Sequence, residues 1–301
     1  MPELPEVETI KNDLMRAGLC GQKIRTADIF WHRTLATPSF TEFQKQISNA
    51  KITDISRRGK YLIFKLNLLG PRSSVLKSFL IMHLRMSGRI DIKDASFSPR
   101  THDRARLVFE NGKQLLFHDT RKFGRWYFVK EVQTIVGKLG IEPLDKKFTP
   151  AWLSEKIKNK KRLLKPLLLD QTLIAGIGNI YADEALWNAR LHPKTNSAHL
   201  NSDKIEALHR GIVNAISAGI RNAGTSMGEG KANFYSVGGK RGSNQEKLNV
   251  FRRTGEACPR CQLEIVRIVV GQRSTHLCPS CQPFEGRALK RIKRRKDGIK
   301  I

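Results

Sequence analysis

The sequence predicts an α+β fold: a helix at the N-terminus, a strand-rich region, then a helical region ending in a hairpin. Three observations predict it. Apolar runs of strand length recur between residues 22 and 130, bounded by turn residues. Near residue 131 the pattern becomes helical. Close to the C-terminus, Cys258-Pro-Arg-Cys261 and Cys278-Pro-Ser-Cys281 bracket sixteen residues with Gly271-Gln272-Arg273 as a turn.

The first helix is opened by Pro5, whose missing N–H costs nothing in a first turn. Val7, Ile10 and Leu14 give it an apolar stripe. If Met1 is removed, the chain begins at Pro2. Its secondary amine would be uncharged to a useful extent near neutral pH, since an α-amino group titrates near about 8. Such an amine attacks sugar or aldehyde carbons and forms Schiff bases. Glu3 and Glu6 follow at once, at the electropositive start of the helix. The plainer alternative is an ordinary leader before a surface helix.

Strands are expected at 23–31, 51–56, 61–65, 75–84, 106–109, 114–117 and 125–129. Asn111-Gly112 between two apolar runs marks a hairpin. Seven or so short strands behind one helix suggest a β-sandwich or a barrel-like domain. Thr149-Pro150 is a cap and first-turn pair leading into a helix over 151–158. Further helices are expected at 165–170 and 179–189, joined by a turn containing Gly176-Ile-Gly178, too short for a nucleotide-binding motif. Ser202 would cap a long amphipathic helix carrying Ile205, Leu208, Ile212, Val213 and Ile216. Residues 224–245, rich in Gly, Ser, Asn and Lys, read as a mobile loop or a linker. The tryptophans are expected in the core.

Composition names the partner class. The 301 residues carry 55 Lys+Arg against 27 Asp+Glu, a net charge of +28. Such an excess implies a polyanion: nucleic acid first, an anionic membrane surface second. Hydrophobic content of 40% argues against wholesale disorder. No apolar run is long enough for a membrane span, and no signal-peptide pattern opens the chain, so the expected setting is intracellular. There, two Cys-x-x-Cys pairs favour a metal over disulfides. Cys258, Cys261, Cys278 and Cys281 have the spacing of a tetrahedral four-thiolate zinc site on a hairpin. Four cysteines close the site, so one structural zinc is expected; a redox pair is the weaker alternative. The hairpin would hold Arg273 out toward a phosphate, although one more solvated arginine is the plain alternative.

Several pieces occur in one order: Pro2-Glu-Leu-Pro-Glu-Val-Glu-Thr, Arg58-Gly-Lys60, His83-Leu-Arg-Met86-Ser-Gly88, Asp119-Thr-Arg121-Lys-Phe123-Gly124, Asp170-Gln-Thr-Leu-Ile-Ala-Gly-Ile-Gly-Asn179-Ile-Tyr-Ala, and the paired cysteines. As a set they resemble the bacterial formamidopyrimidine-DNA glycosylases of the Fpg/Nei family, over residues 1 to about 282. Leu4 resembles the formamidopyrimidine branch; the endonuclease VIII branch usually has glycine there.

The resemblance implies a two-layer β-sandwich, a helix–two-turn–helix motif and a zinc-finger hairpin. It implies a catalytic domain over 1–130, a linker over 131–140 and a DNA-binding helical domain over 141–225. A lesion-capping loop over 226–247, a zinc finger over 248–282 and a basic tail over 283–301 complete the expected order. The implied activity is bifunctional: removal of 8-oxoguanine and formamidopyrimidines from duplex DNA, then β,δ-elimination at the abasic site. Pro2 would be the nucleophile and Glu3 the general acid/base, with Glu6 supporting. Lys60 and Arg273 would contact the phosphate beside the lesion and assist catalysis. Reaching the base requires flipping it out of the duplex. Met86, Arg121 and Phe123 would fill the gap, and His83 and Asn179 would grip phosphates. Core positions for Met86 and Phe123, and a plain helix cap for Asn179, are the alternatives. The expected partner is duplex DNA with oxidised purines or abasic sites, with no membrane. The expected protein is monomeric and cytoplasmic, associated with the nucleoid through DNA.

Two regions depart from the family pattern. Where many members have Gly-Tyr-Phe in the capping loop, this chain has Gly242-Ser-Asn-Gln245, which bears on lesion preference. Residues 285–301 add eight Lys/Arg against two acids, expected to be a disordered arm adding nonspecific DNA affinity, with a bland tail as the alternative. Deleting them should lower the salt slope of DNA binding by about one unit per lost phosphate contact; an unchanged slope would discard the arm. An oxidised-pyrimidine enzyme and a noncatalytic nucleic-acid binder are the rival readings. The Pro2-Glu3 start argues against the second.

Overall fold

The computed structural model describes residues 1–69, 74–228 and 234–284. The expected basic arm at 285–301, and residues 229–233 of the expected capping loop, lie outside the described residues.

Helix α1 (Leu4–Arg16) bridges two hydrophobic cores. Leu4 packs into the helical core, while Val7, Ile10 and Leu14 pack into the strand core. All four are fully buried, and each such side chain contributes roughly 1.5–3 kcal/mol. The helix that carries the Pro2-Glu3 start is therefore anchored at both ends.

The strand region forms β1 (Ile24–Ile29), β2 (Leu35–Thr37), β3 (Lys51–Arg58), β4 (Tyr61–Leu69), β5 (Val75–His83), β6 (Gly88–Asp94), β7 (Asp103–Phe109), β8 (Lys113–Asp119) and β9 (Arg125–Val129). They make two sheets, of order β2-β9-β5-β4-β3 and β1-β7-β8-β6. Among the described residues of these two sheets, β2–β9 is the one parallel pair. Leu62, Phe64 and Leu80 of one sheet share a core with Leu107, Leu115 and Phe117 of the other. Two separate sheets around one core make a two-layer sandwich, which excludes the closed-barrel alternative. The Asn111-Gly112 hairpin forms as expected, with Gly112 at φ 74° and Asn111 Oδ1 accepting from the Lys113 N–H at 3.1 Å.

Three elements here are additional to those the sequence pattern announces: the short β2, β6 and α2. Strand β6 starts at Gly88, where the sequence suggests a loop tip; its Gly88–Asp119 register closes the second sheet. Helix α2 (Phe40–Ile47) interrupts the strands, with Ser39 Oγ accepting from the Glu42 N–H at 3.3 Å. Its two buried residues, Phe43 and Ile47, are too few to announce a helical period. Trp126 and Trp187 are buried and Trp152 is half-buried against the helical core. Trp31 departs from the expectation: it is half-buried on the outside, with the Lys122 ammonium 4.1 Å above its ring.

Beyond the sandwich come α3 (Gln133–Val136), α4 (Pro150–Ile157), α5 (Leu164–Leu168), α6 (Asn179–Asn188) and α7 (Ser202–Arg221). Thr149 Oγ1 caps α4 through the Trp152 N–H. The cap of α7 is Asn201, one residue before the Ser202 expected, because Asn201 Oδ1 accepts from the Lys204 N–H at 3.0 Å. Residues 169–178 turn the chain between α5 and α6.

The last element is a hairpin of β10 (Val266–Val270) and β11 (Arg273–Leu277). Gly271 and Gln272 form its two-residue turn with φ of 55° and 61°, the left-handed pair that matches strand twist. Arg273 thus opens β11 instead of occupying the turn. The four cysteine sulfurs lie within 4.8 Å of one another. Cys258–Cys281 and Cys261–Cys278 are 3.9 and 3.3 Å apart. Sulfurs about 2.3 Å from one ion would be separated by roughly 3.8 Å, so the set fits a closed tetrahedral zinc site.

Candidate active site

The Glu3 carboxylate lies on the N-terminus of α6. It accepts from the N–H groups of Gly178 at 2.7 Å, Ile180 at 3.0 Å and Tyr181 at 3.4 Å. Those are unpaired helix donors at the positive end of the dipole, the natural seat for an anion. Gly178 is required for the fit, because a Cβ there would stand 2.4 Å from Glu3 Oε1. Gly176 and Gly178, which resemble a fragment of a phosphate loop, instead admit Leu4 and Glu3.

Glu6 lies beneath Glu3 and off the cavity wall. Its Oε2 accepts from the Glu3 N–H at 2.8 Å, and its Oε1 from the Tyr181 hydroxyl at 2.7 Å and the Thr225 N–H at 2.8 Å. Burial, reinforced by Glu3, pushes its carboxyl pKa up. Glu6 is a brace that ties the start of α1 to α6 and to the chain after α7.

Lys60 sits with Gly59 in the tight turn between β3 and β4, after Arg57 and Arg58 at the end of β3. Arg57 is clamped between Glu8 and Glu142, and the Gly59 N–H also donates to Glu142. The Lys60 ammonium is buried and donates to the Ile177 carbonyl at 2.9 Å. Burial lowers its pKa, opposed by the charges of Glu3 and Glu6.

Two loops form the opposite lip. Asp119 staples them together, accepting from Ser87 Oγ and from the N–H groups of Arg121 at 3.2 Å and Gly124 at 2.7 Å. Met86 and Phe123 are 43% and 46% exposed, so they stand on loops and are not core. Arg121 stacks over Phe123 at 5.0 Å.

His83 is buried, its Nδ1 accepting from the Arg85 N–H at 3.0 Å. Burial, with help from Arg85 and Lys60, lowers its pKa to about 3 from an ordinary 6.5. The folded protein refuses a proton that the unfolded chain accepts. His83's stabilisation is therefore complete above pH 6.5 and is lost as pH falls toward about 3. A loss of a few kcal/mol across that window is expected. His118 and His192 shift the same way, so the quantity to measure is the wild-type minus His83→Gln difference in denaturant unfolding at pH about 7.5 and about 4.5. Parallel pH profiles would contradict the assignment.

These elements enclose a cavity of about 850 Å³. Of the residues expected from the sequence, Glu3, Lys60, Met86, Phe123, Asn179 and Arg273 line it. Pro2 and His83 are buried, and neither lines the cavity; Glu6 and Arg121 are off its wall. Met1 lines it, and burial holds the terminal amine at this spot below its usual range.

Three family models match this chain. They are the formamidopyrimidine-DNA glycosylase N-terminal domain over residues 1–126, its H2TH domain over 139–229, and the zinc finger found in FPG and IleRS over 255–283. This chain belongs to the formamidopyrimidine-DNA glycosylase family. The formamidopyrimidine-DNA glycosylase of Protochlamydia amoebophila is 47% identical over 94% of this chain and 99% of its own. That of Chloroflexus aurantiacus is 43% identical over 94% and 98%. Among solved structures, Lactococcus lactis Fpg (MutM) bound to a DNA containing N7-benzyl-Fapy-dG has a TM-score of 0.83 at 36% identity, covering 94% of this chain and all of that one. The same bacterial protein has been solved with DNA containing an abasic site and with DNA containing an oxidised pyrimidine. Among the described residues, no helix is long and apolar enough to cross a membrane.

Zinc in this glycosylase family member is structural: Cys258, Cys261, Cys278 and Cys281 would hold it and leave no open position. Asp183, inside α6, joins the hairpin to the helical core. Its Oδ1 takes the Lys165 ammonium at 2.6 Å, and its Oδ2 takes the His276 N–H at 3.0 Å and lies 3.1 Å from His276 Nδ1. Close by, Asn179 Nδ2 donates to the Ser274 carbonyl at 2.9 Å. Arg273 and Asn179 are thereby held on one wall. Asp183→Ala would strand a fully buried ammonium, an expected loss of about 3–5 kcal/mol in denaturant unfolding. A loss under about 1 kcal/mol would show that the pair is not structural.

Charged residues of the site that the sequence does not single out include Asp119 as a staple, Asp183 as a tie, and Arg85, Arg125 and Arg252 on the cavity wall. Asp119 stands inside one of the family's motifs, which is signal enough to find it. Asp183 and Arg252 carry no local signal, because their roles depend on residues 93 and more positions away.

Proposed function

We propose that this chain is a bifunctional base-excision repair enzyme of its family, acting on oxidised purines in duplex DNA. The observation that carries the reading is the Glu3 carboxylate on the α6 N-terminus, beside Lys60 and Arg273 on one cavity wall. Membership in a DNA glycosylase family supports the general activity.

Once Met1 is removed, the Pro2 nitrogen is a secondary amine. Its lone pair forms a bond to C1′ of the damaged nucleoside while the glycosidic bond breaks and the base leaves with that electron pair. Glu3 takes the proton left on the Pro2 nitrogen and delivers it to the sugar ring oxygen, so that the ring C1′–O bond breaks and the C1′–N pair becomes a Schiff base. Loss of a C2′ proton then expels the 3′ phosphate by β-elimination, and a second elimination expels the 5′ phosphate. Lys60 and Arg273 hold the flanking phosphate, with His83 and Asn179 supporting. Met86, Arg121 and Phe123 enter the duplex, the apolar pair as fillers and Arg121 as a partner to the orphaned base. Solution of the Lactococcus lactis relative with an oxidised pyrimidine favours one second reading, a preference for pyrimidine lesions.

Borohydride trapping with untagged protein separates them. A covalent adduct on a duplex with 8-oxoguanine opposite cytosine, much reduced in Glu3→Gln, is the expected result. An adduct only on an oxidised-pyrimidine duplex would favour the second reading. No adduct on these or on an abasic duplex would leave a noncatalytic binder.

A further inference from the structure

Arg252 stands between two anchored neighbours. On one side, Glu184 on α6 accepts from the N–H groups of Asn249 at 2.9 Å, Val250 at 2.9 Å and Phe251 at 3.0 Å. The buried Phe251 ring meets His276 edge-on at 5.0 Å. On the other side, Arg253 is spent within its own turn, donating to the Leu248 and Asn249 carbonyls and to Glu256. Between them Arg252 is held at φ 60°, a conformation glycine adopts freely and a residue with a Cβ resists. Strain of this kind persists where the surroundings over-determine it, often at a functional site.

The Arg252 side chain reaches the cavity that contains Glu3. It is exposed, and among the described residues no hydrogen bond or ion pair holds it. The one carboxylate on that wall, Glu3, is already satisfied by α6 N–H groups. The other charged side chains there are the cations Lys60, Arg85, Arg125 and Arg273. An unpaired guanidinium among cations is repelled in the free protein and becomes favourable when a polyanion enters.

We propose that Arg252 is a further phosphate-binding residue of this site, gripping a non-bridging phosphodiester oxygen of the strand that enters the cavity. A guanidinium suits this task through its fork of N–H donors. Burial lowers the pKa of the terminal amine at Met1, and the charge of Arg252 adds to that in the same direction. The inference rests on the reading of the cavity as a lesion-DNA site.

The test uses full-length Arg252→Gln and Arg252→Gly proteins and a duplex carrying a tetrahydrofuran abasic analogue, with affinity measured across a salt series. Both variants are expected to bind about tenfold more weakly, with the log–log salt slope reduced by about 0.9. Arg252→Gly should also melt above wild type, because the backbone strain is relieved; that separates a lost contact from a folding defect. Unchanged affinity and slope in both variants would overturn the proposal. So would weaker binding with an unchanged slope and a lower melting point in both, which assigns Arg252 to the fold. If wild type fails to prefer this duplex over undamaged DNA, the reading of the cavity falls, and the Arg252 inference with it.

Discussion

Protein that keeps Met1, or carries any residue ahead of Pro2, is expected to give no borohydride adduct and to lose at least about 10³-fold in base excision. With Met1 attached, the Pro2 nitrogen is a tertiary amide with no lone pair to donate and no proton to lose. The effect should fall on the chemical step. Binding to an abasic-analogue duplex should change far less, because Lys60, Arg273 and the two loops of the opposite lip are untouched. Mass spectrometry of the N-terminus beside single-turnover assays makes the comparison, with processed and unprocessed fractions of one preparation as the cleanest pair. Equal excision by both fractions would remove Pro2 from the mechanism. Glu3→Gln should behave differently. Glu3 is both the expected acid/base and the anion on α6, so this variant should lose rate and, to a smaller extent, stability.

Loss of a zinc ligand is the second large effect. Cys278→Ser should drop zinc content from one equivalent toward none. It should also expose the amides of β10 and β11 to rapid hydrogen exchange. Structural zinc in zinc-finger peptides contributes about 10–16 kcal/mol of folding free energy, and a five-residue-strand hairpin cannot replace that alone. The consequence reaches the cavity because β11 begins with Arg273, and Ser274 holds the Asn179 amide. Affinity for lesion DNA should fall on the order of 100-fold, since each charged hydrogen bond lost costs roughly 1.5–3 kcal/mol. Exchange protection in the sandwich should persist, since its core is separate from the cysteine cluster. Full DNA affinity in a zinc-free variant would detach the hairpin from the site.

Much of the site is legible in the sequence, because short-range chemistry leaves short-range signals. The two Cys-x-x-Cys knuckles, the Asn111-Gly112 turn and the Thr149-Pro150 cap each require particular residue types at fixed spacing, and each forms where expected. The exposure of Met86 and Phe123 follows from their glycine and charged neighbours. Strand β6 and helix α2 are less legible. The first is an edge strand whose alternation rests on only two apolar residues, Ile90 and Ile92, between Arg89, Asp91 and Lys93. The second buries only two side chains.

By itself the sequence determined the class of partner, through a net charge of +28, and the metal, through four thiols. It also determined the order of the pieces that mark the family. Tertiary structure alone decided how those pieces meet. Glu3 finds the α6 N-terminus 175 residues away in the chain, and Asp183 ties α6 to a hairpin 93 residues on. Among the described residues Arg252 has no hydrogen bond or ion pair, while Arg253 beside it is held by Glu256 and two carbonyls. Such contacts depend on which buried polar groups find partners when separate elements pack. No local period in the chain records them.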